Sequence, residues 1–551
     1  METLYKKFCK EKFDEKGELI DFEINCPSNF NFAYDVVDSL GKNYPDKIAL
    51  RWCNVIGEKK DITFKEIMDL SNKAANFFIS EGIKKGDKVM LMLKRHYEYW
   101  YVLLALHKIG AVAIPATHML TYKDIVYRVE SADVKAIVCT SENDVHNFIL
   151  AAKDHCESLE KLYNVRKDLP GFIRLDKEIE KCSDKLKRIE NSSEDPFLMY
   201  FTSGTTGYPK GVIHNYSYPL AHIITAVYWQ NVQNNGLHLT VADTGWAKAS
   251  WGKIYGQWLA GSAVMVYDFD KFIPKDLLGI IEKYKVTTFC APPTIYRFLV
   301  KEELDKYDLS SLKYATSAGE AVNPEILKNF KEHTGLTIME GFGQTESTLI
   351  IANLKGQKTK LGSIGRPTPL YDVKIVDDDG NESDYGEIVV VPRKDRKQYG
   401  IFCKYNKDDE LYKEVWKNGV YHTKDIARRD EDGYFWYEGR KDDIIKSSGY
   451  RIGPFEVENV LMQHKSVLEC AVTGVPDAIR GTVVKATVVL ANKYLPTPEL
   501  AKELQEFVKK NTAPYKYPRV VEFVSELPKT ISGKTKRVDI KNNLHNPIVH
   551  V

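Results

Sequence analysis

A chain of 551 residues exceeds the roughly 250–300 residues at which single cores stop growing, so several domains are expected. Its 43% apolar and 28% charged residues are ordinary for a soluble globular protein. A formal net charge of +2 gives no basic footprint for nucleic acid and no acidic tail, which argues against nucleic acid as the main partner.

The first 22 residues mix Lys with Glu and Asp and hold no apolar h-region, unlike a signal or transit peptide. Thr63-Phe64-Lys65-Glu66 has capping-box spacing and opens a helix with Ile67, Leu70, Ala74, Phe77 and Phe78 on its apolar face. A short strand is expected over Lys88–Leu93, a helix over Tyr97–Lys108 ending at Gly110, and an apolar strand over Ala111–Pro115. His107, Lys108 and Gly110 break the Tyr97–Pro115 run, so no stretch approaches the ~20 residues of a membrane span. Thr121–Ser131 and Lys135–Cys139 repeat the helix–strand unit, and Asp276–Tyr284, Val286–Cys290, Leu312–Ser317, Glu325–His333 and Leu336–Glu340 continue it. This alternation predicts an α/β body of parallel βαβ units. After Gly362 the texture changes to hairpin strands, Tyr371–Val376 and Glu387–Val391 about the turn Asp378-Asp379-Gly380-Asn381. A smaller α+β unit is expected from about Asp442, with a helix over Glu456–His464, strands over Leu468–Thr473 and Val483–Leu490, a helix from Pro498 capped by Thr497, and a strand over Arg519–Val524. The expected division is a body over 1–441, with a β-rich subdomain over about 362–441, and a C-terminal α+β lid over 442–551. The nine cysteines are scattered and never in C-x-x-C spacing, which reads as reduced thiols rather than a disulfide frame or zinc site. Together these features predict a cytoplasmic protein.

The first chemical motif is YFTSGTTGYPKG, Tyr200–Gly211. Thr202, Ser203, Thr205 and Thr206 surround Gly204 and Gly207 after an expected strand, and Lys210 adds charge. Glycines let backbone N–H groups approach an anion and hydroxyls add donors, so the loop suits the phosphates of a nucleotide. Walker A spacing is absent. Plain polar loops share this composition but not the whole string.

YFTSGTTGYPKG resembles the phosphate loop of the adenylate-forming superfamily: acyl-CoA synthetases, luciferases and peptide-synthetase adenylation domains. Further motifs of that family follow in order. Ser317-Ala318-Gly319-Glu320-Ala321 resembles the adenine-contacting loop, and Gly341-Phe342-Gly343-Gln344-Thr345-Glu346 the aromatic-Gly-Gln-Thr-Glu segment. Tyr421–Asp425 stands at the ribose-binding Asp, Gly439–Glu458 at the hinge and Pro528–Arg537 at the segment with the catalytic lysine. Asp243–Lys248 and the hinge string are similar to the medium-chain acyl-CoA synthetases, the butyrate-CoA ligase type. The resemblance implies ATP, Mg²⁺ and coenzyme A with a small carboxylic acid as the other partner. A carboxylate is already a nucleophile at pH 7, so adenylation needs charge neutralisation at phosphorus and a held leaving group, not a catalytic triad.

By the same resemblance Glu346 is the expected Mg²⁺ ligand, Thr345 a donor to the α-phosphate and Lys534 the mobile lysine between α-phosphate and acyl oxygen. Asp425 accepts from the ribose hydroxyls with Arg440 beside it. Arg451 and Gly449 lie on the face that meets nucleotide or CoA after the lid turns. Asp442 is the hinge, and its rotation exchanges Lys534 for Lys446, Ser447, Ser448, Gly449 and Tyr450, opening the way for the CoA thiol.

Acetate-specific relatives floor the acyl pocket with a Trp where this chain has Gly343, so an acetate-sized pocket is not enforced there. Trp246, Ala247, Lys248 and Trp251 are the other expected lining residues, although tryptophans in such a stretch serve as core packing at least as often. Short to medium acids are implied, roughly C4–C8, with graded preference. Lys424 replaces the usual Gly of Thr-Gly-Asp, which bears on the local backbone or adds a charge near the nucleotide. Two alternatives stay open: a stand-alone adenylating enzyme with a non-CoA acceptor, and a non-catalytic nucleotide-binding regulator. Oligomeric state is open, and a dimer is compatible with the sequence.

Overall fold

A computed structural model describes residues 3–202, 208–319, 322, 324–447, 450–477, 481–530, 534–542 and 547–550. The expected βαβ alternation forms two mainly parallel sheets. One runs, edge to edge, through Lys404–Tyr405, Lys210–Asn215, Pro196–Thr202, Val112–Pro115, Lys88–Met92, Val134–Cys139, Lys161–Asn164 and Ile173–Arg174. The other runs through Arg366–Pro367, Leu349–Ala352, Ile338–Gly343, Tyr314–Ala318, Thr288–Cys290, Leu237–Thr240, Ala263–Asp268, Ile48–Asn54 and Lys59–Thr63.

Between the sheets lies the helix Glu98–Ile109, with every residue buried. An all-round apolar helix belongs in a core, which is why this stretch is the most membrane-like in the sequence. Among the described residues no helix is long and apolar enough to cross a membrane. Its one cation, Lys108, is held by Asp38 (2.7 Å), Ser71 (2.9 Å) and Asn72 (2.6 Å). The strand ends of the two sheets are tied through His96, whose Nδ1 lies 2.9 Å from Asp268 Oδ2 and whose Nε2 lies 2.8 Å from Thr140 Oγ1.

The Thr63 capping box forms with both bonds present, and its helix runs Phe64–Ser80. The strand over Ile338–Gly343 extends past the expected end at Glu340, carrying Gly341 and Phe342 inside the sheet. Asp372–Val376 and Tyr385–Val391 pair antiparallel, as their turn chemistry requires, and Val420–Arg429 and Phe435–Arg440 continue that sheet.

After the short turn Lys441–Asp443 come the hairpin Ile445–Ser447/Tyr450–Ile452 and the helix Pro454–Leu461. A further sheet pairs Val467–Asp477, Gly481–Leu490, Val520–Val524 and Pro547–His550. The helix Pro498–Asn511 packs beside it, its Leu500 N–H donating to Thr497 Oγ1 at 3.2 Å.

Candidate active site

The site lies where strands of both sheets end. Tyr314–Ala318 and Ile338–Gly343 are parallel neighbours with Ala318 opposite Gly341, so Gly319 and Gln344 leave the same edge together. Crevices beyond the carboxyl ends of such strands are where open α/β sheets bind ligands. Thr202 and Lys210 face each other at the mouth of an antiparallel hairpin. Ser203, Gly204, Thr205, Thr206 and Gly207 lie outside the described residues, as do Glu320 and Ala321 of the adenine-loop motif and Ser448 and Gly449 of the hinge string.

Gln344 is the hub. Its Nε2 donates to the Thr423 carbonyl (2.8 Å) and to Asp425 Oδ2 (2.5 Å), and its Oε1 accepts from Tyr421 Oη (2.6 Å). Asp425 is buried and also accepts from Tyr437 Oη (2.9 Å) and Arg440 Nη1 (3.3 Å). Burial pushes the Asp425 carboxyl up, opposed by Arg440, Tyr437, Gln344 and the charge of Lys534. Burial would lower Arg440, yet Asp425, Tyr437 and Glu346 hold its guanidinium above the ordinary value. A carboxylate has about four acceptor positions, and Asp425 keeps room for a hydroxyl beyond these donors.

Glu346 is half-buried, with Oε1 accepting from Tyr405 Oη at 2.9 Å. Burial raises its carboxyl, against Tyr405 and Arg440. His214 Nε2 stands 2.8 Å from the Thr345 carbonyl; a carbonyl only accepts, so Nε2 carries the hydrogen. Burial lowers His214 to about 4, so the ring is a neutral prop under Thr345. Among the described residues no group of three His, Cys, Asp or Glu could hold a metal by itself. A lone carboxylate fits Mg²⁺, which takes one or two carboxylates and fills its shell with phosphate oxygens and water.

A Cβ on Gly343 would lie 2.5 Å from Trp251 Cη2 and 2.4 Å from the Thr348 carbonyl oxygen. The space that Gly343 leaves is therefore filled by Trp251, which is buried against Trp229 with ring centroids 6.2 Å apart. Gly341 likewise clears Trp229, whose Nε1 would meet its Cβ at 3.0 Å. Trp246 and Ala247 are half-buried, and Lys248 Nζ donates to the Ala318 carbonyl at 2.7 Å.

In this arrangement Arg451 is away from the Gln344–Asp425 cluster, which leaves its expected contact after the lid turns untouched. It pairs with Asp378 in the turn of the β-rich subdomain. Lys446 and Tyr450 are exposed, and Tyr450 stacks on Tyr515 with centroids 4.1 Å apart. The Lys534 segment is fixed by Arg537 Nη2, 2.6 Å from Glu458 Oε1. Tyr405, Tyr437, Trp229 and Glu340 were not found from the sequence. A charged residue inside the apolar strand Ile338–Gly343 was the signal for Glu340; the aromatics had none, because the segments that carry them meet the site only through tertiary packing.

The hairpin mouth at Thr202 and Lys210 and the Gln344 hub stand at strand ends of the body, and Gln344 holds the buried Asp425. The chain belongs to the AMP-binding enzyme family, whose model matches residues 38–391; the AMP-binding enzyme C-terminal domain matches 456–534. It is similar to the acyl-coenzyme A synthetase ACSM3 of Homo sapiens, 42% identical over 540 residues, covering 95% of this chain and 91% of the relative. The Homo sapiens ACSM4 is 41% identical over 540 residues, covering 94% and 92%. Among solved structures, the anthranilate CoA ligase AuaEII in complex with anthranoyl-AMP superimposes with a TM-score of 0.86 at 26% identity, covering 94% of this chain and 98% of that one. The Brucella canis acyl-CoA synthetase gives 0.72 at 30% identity, covering 94% and 95%. Both Homo sapiens relatives are named mitochondrial, which overturns the cytoplasmic expectation. That expectation leaned on the absence of leader character near residue 1, but Cys9–Phe13 and Leu19–Ile24 form a folded hairpin and so carry no information on compartment.

Proposed function

We infer that the chain is an AMP-forming acyl-CoA synthetase, an acid–thiol ligase. It joins a carboxylic acid to ATP, releasing pyrophosphate, and then passes the acyl group from acyl-AMP to coenzyme A with release of AMP. The observation that carries the reading is the convergence of Gln344, Asp425 and Arg440 in one hydrogen-bonded cluster that also feels the charge of Lys534, in a chain similar to acyl-CoA synthetases over 95% of its length.

In this reading Asp425 and Arg440 hold the ribose, and Thr202, Lys210 and the glycine-rich loop between them hold the polyphosphate. Gly319, Glu320, Ala321, Gly341 and Phe342 border the adenine. Glu346 is the residue for Mg²⁺, which when bound neutralises phosphate charge. Thr345, propped by His214, and Lys534 stabilise the charge that develops on the α-phosphate as the carboxylate attacks. The units 1–441 and 442–551 turn about Asp442, so that Lys446–Tyr450 replace Lys534 for the thioester step. The acyl chain lies against Trp251, which supports short acids over long ones within the short-to-medium range.

A panel of straight and branched acids from two to twelve carbons tests this, following pyrophosphate and AMP release with and without CoA. Acyl-CoA formation with AMP release that requires acid, ATP and CoA is expected. Acid-dependent AMP release with free acid returned and no thioester would sink the ligase reading.

A further inference from the structure

Lys424, immediately before Asp425, has φ +60°, a left-handed conformation in which glycine is unstrained and a residue with a Cβ is not. Two contacts fix it there. Its backbone N–H donates to Glu387 Oε1 at 2.9 Å, and its ammonium to Glu414 Oε1 at 2.6 Å. Glu414 sits on the helix Asp409–Val415, capped by Asp408. Two residues before that cap, the Asn406 N–H donates to the Gly211 carbonyl at 2.7 Å, one residue after Lys210. These contacts bring Lys424 and Lys210 to one rim at the mouth of the phosphate-loop hairpin. Lys210 feels this charge: it is lowered first by burial and next by Lys424, while Glu346, Glu414 and Asp408 oppose. The partner that neutralises Lys424 is the more solvent-exposed of the pair, Glu414 at 53% against 24% for the lysine.

We propose that Lys424 is a second cation for the β- and γ-phosphates, held on Glu414 in the nucleotide-free chain and passed to polyphosphate oxygens when the nucleotide is seated. Its role is to position the polyphosphate and hold the pyrophosphate leaving group, and it rests on the acyl-CoA synthetase reading above. A flexible ammonium offers a point charge to whichever phosphate oxygen is nearest. Exchange of one exposed carboxylate for a polyanion then makes the retention of pyrophosphate dependent on this side chain.

The test uses the full chain and Lys424→Met, Lys424→Gly and Glu414→Gln. The readouts are the KM for pyrophosphate in acid-dependent ATP–pyrophosphate exchange, calorimetric binding of magnesium pyrophosphate, and Tm. Both lysine variants should raise the pyrophosphate KM and Kd roughly three- to tenfold, a charge-assisted contact discounted for partial exposure. KM for the acid should be unmoved, and the difference should shrink as salt is added. Glu414→Gln should tighten pyrophosphate, and Lys424→Gly should raise Tm by removing the strain. Unchanged pyrophosphate binding in both lysine variants overturns the proposal, whatever Tm does. Weakening in the Gly variant but not in Met assigns the effect to the backbone and overturns it equally. Absence of acid-dependent exchange in the unaltered chain counts against the functional reading instead, and the calorimetric comparison still decides the role of Lys424.

Discussion

Gly343 and Trp251 act as one unit: the indole sits where any side chain at 343 would have to be. Replacing Gly343 by Ala forces either the ring or the Thr348 carbonyl to move, an overpacking that costs about 1–3 kcal/mol. Replacing Trp251 by Ala opens the same space from the other side. Each additional methylene then buried is worth about 0.8 kcal/mol, or roughly fourfold in kcat/KM. The expected result is that Trp251→Ala moves the preferred acid to longer chains while ATP parameters hold. An unchanged chain-length profile across the acid panel would place Trp251 in the core and not in the pocket. At this scale the sequence was half legible. Gly343 stands inside a recognisable motif, so its missing side chain could be read; that Trp251 fills the space could not, because the two are brought together only when the helix Lys248–Gly252 docks against the strand Ile338–Gly343.

At the scale of the element, that strand does more than carry its motif. Its one charged residue, Glu340, is buried and accepts the Val322 N–H at 2.9 Å, tying the adenine-loop segment to the sheet. Burial pushes its carboxyl up to about 8 from an ordinary 4.5, with the Val322 and Gly362 N–H groups opposing. The folded chain therefore holds this proton more tightly than the unfolded chain does. That contribution favours folding fully below pH 4.5 and is lost as pH rises through about 8. Glu340→Gln keeps an acceptor for Val322 and cannot ionise. Its Tm relative to the unaltered chain should climb between pH 5 and pH 8 and level off above that window. A Tm difference independent of pH would show that Glu340 does not carry this linkage.

Element types were largely legible. Long amphipathic segments such as Phe64–Ser80 announce themselves through capping and periodicity. Short edge strands such as Arg366–Pro367 do not, since a two-residue strand carries no period. Nor does the division of the strands between two sheets follow from local pattern, because neighbours such as Ala263–Asp268 and Ile48–Asn54 are far apart in the chain.

For the whole molecule the question is how a single cleft serves two half-reactions. Ion pairs join the segment after residue 442 to the rest of the chain, Arg451 with Asp378 and Arg297 with Glu469 at 3.8 Å, and Lys441 meets Glu387 at 3.0 Å just before that boundary. Lys441 opens the turn Lys441–Asp443 and Arg451 follows it, so these pairs fasten the chain beside the proposed pivot. An exposed pair such as Arg451–Asp378 is worth about 0–1 kcal/mol, enough to bias a lid and too little to lock it. A proline at 442 would act differently. It fixes φ near −65° and restricts Lys441 as well, removing the rotation instead of the bias. Asp442→Pro should therefore lose acyl transfer to CoA by a factor of about 100 or more if that step needs the turned lid, while acid-dependent ATP–pyrophosphate exchange changes little. Asp442→Ala, which lacks the carboxylate but keeps the rotation, should retain both steps. If the proline variant loses both half-reactions equally, or the alanine variant matches it, the two steps share one lid position and the alternation is wrong.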